Sequence, residues 1–226
     1  MLTLYIANKN YSSWSLRPWV LMQTLAIPFK EELTPLQDKS SWDEFRKFSP
    51  NGLVPCLHDN QAVIWESLAI VEYLAERYKE VWPQDTTARA WARCATAEMH
   101  AGFSALRNDC QMNCGLRVKL DSISPALQQN LTRLDELWNE GLSRYHGPFL
   151  AGDSFSAVDA FFAPVAFRVQ TYGLNFSEPA RAYVQRLLEL DAMRDWYDAA
   201  LMETWRNAVY DNAAISAGVM VKDLRN

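Results

Sequence analysis

The sequence predicts an α/β domain at residues 1–80, followed by an all-helical domain at residues 87–226. Short apolar runs alternate with helical patterns over the first 80 residues, whereas only helical patterns follow. Residues 79–86 are polar and contain Pro83, which is typical of a linker. A chain of 226 residues is long enough for two small domains.

The first domain is predicted to follow the order β-α-β-α-β-β-α. Residues 2–7 form an apolar run typical of a buried strand, residues 14–25 have helical periodicity, and residues 29–34 resemble a second strand. Strand, helix and strand within about thirty residues are typical of a parallel crossover unit. The first two strands are therefore expected to be parallel.

Two further strands and two helices complete this domain. Residues 42–48 predict a short helix, and residues 53–57 and 62–65 predict two strands joined by a short turn. A connection this short favours an antiparallel hairpin. An amphipathic helix is expected at residues 67–78.

The second domain is predicted to contain only helices, with no strand, at residues 87–112, 125–145, 156–172, 179–189 and 191–209. The third of these opens on Ser156 and Asp159, which have the spacing of a capping box. We interpret that motif as structural, because it should nucleate the core helix of the domain.

The composition is that of a globular protein and argues against several functions. The net charge of −5 disfavours nucleic acid and anionic lipid as partners. The longest stretch without a charged residue, residues 18–29, is well short of the ~20 residues that a membrane helix needs. The first residues lack the features of a signal peptide, so a cytoplasmic location is expected.

The four cysteines are expected to be reduced, since a protein in the cytoplasm rarely keeps disulfides. The three histidines stand at no ligand-like spacing, so no metal site is predicted.

A serine-rich stretch, residues 10–17, lies where the first strand meets the first helix. Ligands in α/β folds bind at such junctions, where helix N-termini present free N–H groups. A serine hydroxyl there can donate a hydrogen bond to an anion, although no neighbouring base suggests that it is a nucleophile. The alternative is that Ser12, Ser13 or Ser15 only caps the helix.

The segment that contains Val54 and Pro55 follows a turn at Asn51 and Gly52. A cis bond before Pro55 costs little, and it would leave the backbone of Val54 free to pair with a peptide-like ligand. The alternative is an ordinary trans proline at the start of a strand.

Glu66 and Ser67 lie at the start of the predicted helix 67–78. A serine at a helix N-terminus can bind a carboxylate, and the adjacent glutamate can bind an ammonium group. Together they match a free α-amino acid group. The alternative is a helix cap beside an exposed acid.

In this order and spacing, these motifs resemble cytosolic glutathione transferases over nearly the whole chain. The resemblance is carried by Ser12-Ser13-Trp14-Ser15-Leu16-Arg17, Val54-Pro55, residues 66–74 and the box from Ser156 to Asp159. It implies a thioredoxin-like N-terminal domain and a helical C-terminal domain.

The serine motif is most similar to the zeta class, whose pattern is Ser-Ser-Cys-Ser-x-Arg. Trp14 replaces the cysteine of that pattern, and Trp19 replaces its second arginine. These departures argue against a zeta-type isomerisation and leave glutathione binding unaffected.

The resemblance implies a role for each matching residue. Ser12 would be the catalytic serine and would donate a hydrogen bond to the sulfur of glutathione. Val54, with Pro55 in cis, would pair with the cysteinyl unit. Glu66 and Ser67 would hold the γ-glutamyl ammonium and carboxylate.

Two further expectations concern the rest of the bound molecules. Lys39 is a candidate partner for the glycyl carboxylate, the alternative being an unpaired surface lysine. The electrophile pocket is expected between the domains, and the alternative for each of its candidates is a core or surface position. These candidates are Tyr11, Trp14, Arg107, Asn108, Gln111 and Met112.

The predicted function is that of a glutathione transferase, in which the glutathione thiolate attacks a small electrophilic or hydrophobic substrate, a typical detoxification reaction. The alternatives are a glutathione-dependent cis-trans isomerase of the zeta type and a non-catalytic interaction module on the same fold. Ser12 and Ser15 stand where a redox Cys-x-x-Cys would be, so dithiol chemistry is excluded there. The resemblance also implies a homodimer.

Overall fold

A four-stranded mixed sheet forms the centre of the N-terminal half in the computed structural model, which describes residues 1–37 and 40–225. The strands lie in the order β2-β1-β3-β4. Pairing of β1 with β2 is parallel and that of β3 with both neighbours is antiparallel, so the predicted crossover and hairpin are both confirmed. These strands are β1 (Leu2–Ile6), β2 (Phe29–Leu33), β3 (Cys56–Asp59) and β4 (Ala62–Trp65).

Three helices of the N-terminal half complete the predicted order β-α-β-α-β-β-α: α1 (Ser13–Thr24), α2 (Trp42–Phe45) and α3 (Ser67–Ala75). A 3₁₀ turn, Lys79–Val81, then leads to the second half. The fold class is therefore confirmed, with a thioredoxin-like N-terminal part and a helical C-terminal part. The boundaries at residues 80 and 87 stay a prediction.

The helices of the C-terminal half are arranged around the most deeply buried one, α7, which contacts α1, α4 and α8. Nearly all of its side chains are buried, so its helical face provides most of the core of this half. These helices are α4 (Thr86–Ala101), α5 (Ser104–Asp109), α6 (Pro125–Tyr145), α7 (Ala157–Tyr172), α8 (Glu178–Glu189), α9 (Asp191–Met202) and α10 (Ala208–Ile215).

The expectation that the second half contains no strand was wrong. Leu116–Leu120 (β5) pairs antiparallel with Gly218–Asp223 (β6). Leu116 and Val118 are buried in the core, whereas Arg117 is half-buried and Lys119 is exposed. The two strands are about a hundred residues apart in the chain, so no turn sequence between them predicts their pairing.

The helix predicted at residues 87–112 is broken in two. Gly102 has an extended backbone (φ −106°, ψ −162°) and Phe103 a left-handed one (φ 58°), so α4 ends and α5 begins in a new direction. A β-carbon at Gly102 would lie 2.8 Å from the carbonyl oxygen of Glu98. Phe103 is buried in the core, and this packing offsets the cost of its backbone conformation.

The helix predicted at residues 191–209 is also interrupted, since α9 ends at Met202 and α10 begins at Ala208. The segment between them turns back toward the start of the chain, where Glu203 forms hydrogen bonds with backbone amides. These tertiary contacts compete successfully with the helical periodicity of the sequence.

The capping box at the start of α7 is confirmed, and it is fully buried. Asp159 accepts hydrogen bonds from the amides of Leu150 and Ser156 and from the Tyr183 hydroxyl, each at 3.0 Å. One carboxylate therefore joins α7, the loop before it and α8. Burial raises the pKa of Asp159 from 3.8 to about 6, while its hydrogen bonds oppose that rise.

Replacing Asp159 by Ala is expected to destabilise the protein by about 3 kcal/mol, because two buried amides and a buried hydroxyl lose their acceptor. Urea unfolding measures this loss. Asp153→Ala is the matched control, because Asp153 is exposed in the same loop, and its unfolding free energy should change by less than about 0.5 kcal/mol. Equal losses in the two variants would contradict the assigned role of Asp159.

The raised pKa of Asp159 also predicts a pH dependence. The native state binds the proton more tightly than the unfolded chain does, so the contribution of this carboxyl group to stability falls as the pH rises from about 4 through about 6. Asp159→Asn cannot titrate and should lack that fall. Urea unfolding at pH 4 and pH 7 should therefore show a larger deficit of the variant, relative to wild type, at pH 4.

Candidate functional site

The loop between β1 and α1 is held in place by a carboxylate from the C-terminal half. Glu203 accepts hydrogen bonds from the backbone amides of Lys9 (2.6 Å) and Asn10 (3.3 Å) and from the side-chain amide of Asn8 (3.4 Å). Glu203 is buried, and burial raises its pKa while the amide donors oppose that rise. The amides at the end of β1 thus face a single buried acceptor.

Further contacts fix the same loop. The side chain of Asn10 accepts a hydrogen bond from the amide of Gly115 (2.9 Å), and its carbonyl accepts one from the amide of Cys114 (3.1 Å). The indole of Trp196 donates to the carbonyl of Lys9 (2.8 Å). Because Asn8, Lys9 and Asn10 are all bonded to the helical half, Ser12, two residues further on, has a well-defined position.

Trp19, which replaces the second arginine of the zeta motif, is buried against this loop. Its indole donates to Glu31 (2.6 Å), and its ring packs against Trp196 with the ring centroids 5.0 Å apart. The ammonium group of Lys9 lies 4.9 Å from the Trp19 ring and pairs with Glu31 at 2.9 Å. The structure gives Trp19 a packing role beneath the loop.

Ser12 caps α1 and lies at one end of a chain of hydrogen bonds that runs through Ser15 to Ala7. Its oxygen is 2.7 Å from that of Ser15 and accepts a hydrogen bond from the Ser15 amide at 3.3 Å. The Ser15 oxygen in turn accepts from the amide of Ala7 at 3.2 Å. In this arrangement the Ser12 hydroxyl donates to the Ser15 oxygen. Hydroxyl groups rotate, so Ser12 can turn its proton toward a bound ligand while Ser15 donates to Ser12.

Ser12 borders a cavity of about 280 Å³ between the two halves of the chain. Its wall includes five of the six residues predicted for the electrophile pocket: Tyr11, Trp14, Arg107, Gln111 and Met112. Val54, predicted to bind the peptide backbone of glutathione, lies on the same wall.

Asn108 does not reach this cavity and is exposed. The break at Gly102 and Phe103 changes the direction of α5, so that Arg107 faces the cavity. Asn108, the next residue of the helix, then faces solvent. The prediction treated the segment as one continuous helix and could not anticipate this.

Several cavity residues were missed by the sequence analysis: Ser13, Leu36, Phe45, Leu53, Arg168 and Tyr210. An arginine within the apolar stretch of α7 is unusual, so Arg168 carried a signal that could have been noticed. Tyr210 offered no comparable signal, because it reaches the cavity through the fold of the C-terminal segment.

That C-terminal segment forms one side of the cavity. The Tyr11 hydroxyl donates to Asp211 (3.1 Å) and accepts from the amide of Asn207 (3.2 Å). The rings of Tyr11 and Tyr210 lie 5.4 Å apart, and Arg225 pairs with Asp211 at 2.5 Å. Tyr210 of α10 lines the cavity, and the contacts of Asn207, Asp211 and Arg225 hold Tyr11 beside it.

A tight turn precedes the Val54–Pro55 bond, which is cis. Gly52 has a positive φ of 64°, and a β-carbon there would lie 2.4 Å from the Trp42 ring, so only glycine fits. The Asn51 side chain accepts from the amide of Leu53 (3.1 Å). Val54 is half-buried beside the cavity and Pro55 is buried.

Glu66 and Ser67 lie where β4 meets α3. Glu66 has a positive φ of 69°, a strained conformation that is common at binding sites, and it accepts a hydrogen bond from Asn51 (3.3 Å). Ser67 is only 1% exposed, and its hydroxyl has no hydrogen-bond partner among residues 1–37 and 40–225. Asn51 thus links the Val54 turn to this helix start. Lys39, the other predicted ligand, lies outside the described residues.

Three of the four cysteines, Cys56, Cys110 and Cys114, are buried and are unsuited to act as nucleophiles. Burial raises the pKa of the Cys56 thiol to about 11 and that of Cys110 to about 12, and it also raises that of Cys114. These thiols therefore stay protonated at neutral pH. In the part of the chain that the structure describes, no group of His, Cys, Asp or Glu side chains could hold a metal ion. No helix there is both long and apolar enough to cross a membrane.

A thioredoxin-like sheet with a cis proline, a serine at the first helix start and an appended helical half defines a class of proteins, the glutathione transferases. Two family models agree. The N-terminal domain of glutathione S-transferases matches residues 11–77, and the C-terminal domain matches residues 84–199. The chain belongs to the glutathione S-transferase family.

Curated relatives are similarly named. Glutathione S-transferase GstB of Escherichia coli is 24% identical over 216 residues, covering 86% of this chain and 96% of that protein. A zeta-class glutathione S-transferase of Euphorbia esula is 32% identical over 124 residues, covering 54% of this chain and 55% of its own. A stringent starvation protein A homologue of Pasteurella multocida is 23% identical over 156 residues, covering 66% and 70%.

Solved structures share the fold. A glutathione transferase homologue from Burkholderia, crystallised with bound glutathione, superposes with a TM-score of 0.65 at 21% identity, covering 88% of this chain and 97% of its own. The tau-class enzyme of mango has a TM-score of 0.69 at 19% identity and covers 96% of both chains.

Removing the Glu203 carboxylate is expected to loosen the loop before α1. In Glu203→Ala the amides of Lys9 and Asn10 lose their acceptor, and their hydrogen exchange should accelerate by about tenfold to a hundredfold. Asp198→Ala, an exposed carboxylate on α9, should leave these exchange rates unchanged. Exchange resolved by NMR or mass spectrometry measures the effect. Unchanged protection in Glu203→Ala would contradict this role.

Proposed function

We propose that the protein is a glutathione transferase in which Ser12 stabilises the thiolate of bound glutathione for attack on a small electrophile. The observation that carries this proposal is the position of the Ser12 hydroxyl. Ser12 borders the cavity at the N-terminus of α1, and its oxygen is hydrogen-bonded to that of Ser15 at 2.7 Å.

The chemistry required of Ser12 is modest. A thiol with a pKa near 8.5 is mostly protonated at pH 7, and each unit by which the pKa falls needs ~1.4 kcal/mol of preferential stabilisation of the thiolate. A hydroxyl that donates to sulfur, close to the positive end of α1, supplies stabilisation of this kind. Ser12 thus acts as an electrostatic stabiliser, and the thiol proton passes to water.

Val54, Glu66 and Ser67 have the chemistry needed to bind the cysteinyl unit and the γ-glutamyl group of glutathione. The backbone of Val54 lies on the cavity wall and can pair with the cysteinyl unit as an added strand would. Ser67 offers an unpartnered hydroxyl at the N-terminus of α3 for a carboxylate, and Glu66 offers a carboxylate for the ammonium group. The glycyl end is assigned to Lys39 on the family resemblance.

Bound thiolate and electrophile would meet in the cavity between the halves. The sulfur attacks the electrophilic carbon, a carbon–sulfur bond forms and the leaving group departs. Tyr11, Trp14, Gln111 and Met112 would contact the electrophile, since they line the same space as Ser12. A cytoplasmic location, a role in detoxification and a homodimer belong to this proposal as implications of the family. Sedimentation tests the dimer.

Ser12→Ala is expected to lower kcat/KM for conjugation of 1-chloro-2,4-dinitrobenzene by about a hundredfold. The pKa of the bound thiol, read from thiolate absorbance against pH, should return toward 8.5. Ser124→Ala is the matched control, because Ser124 caps α6 in the same way but lies outside the cavity. It should lose about 1 kcal/mol of stability and keep full activity.

Three outcomes separate the candidate functions. Equal activity of Ser12→Ala and wild type would leave Ser12 only its cap role. A wild type that neither conjugates nor shows a thermal shift with millimolar glutathione would end the proposal. Glutathione binding without turnover of a broad electrophile panel would favour the non-catalytic interaction module, and isomerisation without conjugation would favour the zeta-type reaction.

A further inference from the structure

Three arginines lie close together beside the cavity: Arg17 of α1, Arg107 of α5 and Arg168 of α7. In the part of the chain that the structure describes, Arg107 and Arg168 form no ion pair with a carboxylate, and Arg17 has only a more distant interaction with Glu66. Arg17 is 0% exposed and Arg168 4% exposed, while Arg107 is half-buried. Burial, and to a lesser extent repulsion between these guanidinium groups, lowers the pKa of Arg17 and that of Arg168, the latter to about 10, while the Glu66 carboxylate opposes the shift of Arg17. All three remain cationic at neutral pH.

Neutral groups are the only direct partners of the two arginines that reach the cavity, within the described ranges 1–37 and 40–225. Arg107 donates to the carbonyls of Gly102 (2.9 Å) and Met99. Arg168 donates to the carbonyl of Cys110, and its Nε is buried without a partner. A carbonyl satisfies a donor but does not cancel the charge, so both cations stay uncompensated.

The third arginine reinforces this charge from beneath the wall. The Arg17 guanidinium lies 4.0 Å from the centre of the Trp14 ring and 4.7 Å from that of Phe161, and no protein acceptor satisfies its nitrogens in the described part of the chain. Arg107 also lies over Trp14, at 4.7 Å. Trp14 therefore holds Arg107 at the cavity surface, while the sealed Arg17 adds its field.

Charged residues on the described cavity wall are limited to Arg107 and Arg168. The other wall residues are polar but neutral, or apolar, so nothing there opposes the positive potential. Fields in such a partly enclosed, low-dielectric space are stronger than at an open surface. A neutral apolar electrophile would leave both cations, the half-buried Arg107 and the buried Arg168, unpaired, whereas an anion would pair them.

We propose that the electrophile of this transferase is an organic anion, a carboxylate-bearing molecule whose charged group is bound by Arg107 and Arg168 while its reactive carbon faces Ser12. This inference rests on the proposed function, because it names the substrate class of the same site. Guanidinium groups bind carboxylates through paired, charge-assisted hydrogen bonds, which fix orientation as well as affinity.

Matched acceptors test the inference: 4-chloro-3-nitrobenzoate and its neutral methyl ester. In each, the thiolate attacks the carbon that bears chlorine, the carbon–sulfur bond forms, chloride leaves and the thiol proton passes to the buffer. The measured quantity is kcat/KM divided by the uncatalysed rate constant at the same pH, which removes the intrinsic difference in reactivity. Wild type should favour the benzoate over the ester by at least about tenfold.

In Arg107→Gln and Arg168→Gln, the normalised kcat/KM for the benzoate should fall by about tenfold to a hundredfold, and it should fall at least about tenfold more than the normalised kcat/KM for the ester. Arg194→Gln, an exposed arginine on α9, is the matched control and should change neither. Inhibition of wild type provides a readout that needs no variant. Against 1-chloro-2,4-dinitrobenzene, 3-nitrobenzoate should inhibit at least about tenfold more strongly than 3-nitrobenzamide.

The outcomes that overturn the inference are distinct from failure of the proposed function. Equal catalysis of benzoate and ester, or equal inhibition by the acid and the amide, would show that the cavity does not select an anion. A rise in KM for glutathione with every acceptor in both arginine variants would assign the cations to glutathione itself. Absence of conjugation of the benzoate, the ester and 1-chloro-2,4-dinitrobenzene by wild type, together with no thermal shift in millimolar glutathione, would instead refute the proposed function.

Discussion

The buried carboxylate of Glu203 is the constraint on which the candidate site depends. By accepting the amides of Lys9 and Asn10 it replaces the water that a loop at the end of a strand would otherwise bind. The backbone can then be buried without losing hydrogen bonds. Ser12 follows Asn10 by two residues, at the start of α1, so the hydrogen bonds of Glu203 in the helical half also determine where Ser12 lies. The two halves of the chain therefore build the site jointly.

The two serines of the candidate site, Ser12 and Ser67, differ in whether their hydroxyl groups have hydrogen-bond partners. Ser12 donates a hydrogen bond to Ser15, and Ser15 accepts one from the amide of Ala7, so rotation of the two hydroxyl groups is enough to free the Ser12 proton for a ligand. Ser67 is buried beside a strained residue, and its hydroxyl has no partner in the described structure. Unsatisfied groups of this kind are costly in a resting protein and are typical of sites prepared for a ligand.

Local signals in the sequence were sufficient for the order of the strands and helices in the first half and for the cap at Asp159. Tertiary contacts decided the rest. The break at Gly102 depends on Phe103 entering the core, and β5 depends on a partner about a hundred residues away. The cavity brings together residues from both ends of the chain, so Arg168 and Tyr210 were missed and Asn108 was misplaced. Sequence periodicity describes each segment separately, so it does not predict contacts between residues that are distant in the chain.

The contacts between the loop before α1 and the C-terminal segment have a consequence for biosynthesis. Asn8 and Glu203 are 195 positions apart, and Tyr11 and Asp211 are 200 apart. Proteins are made from the N-terminus, so the first sheet leaves the ribosome long before its loop can be bonded. A nascent chain of this protein can fold much of its core and still lack a finished cavity until the last helices have been translated.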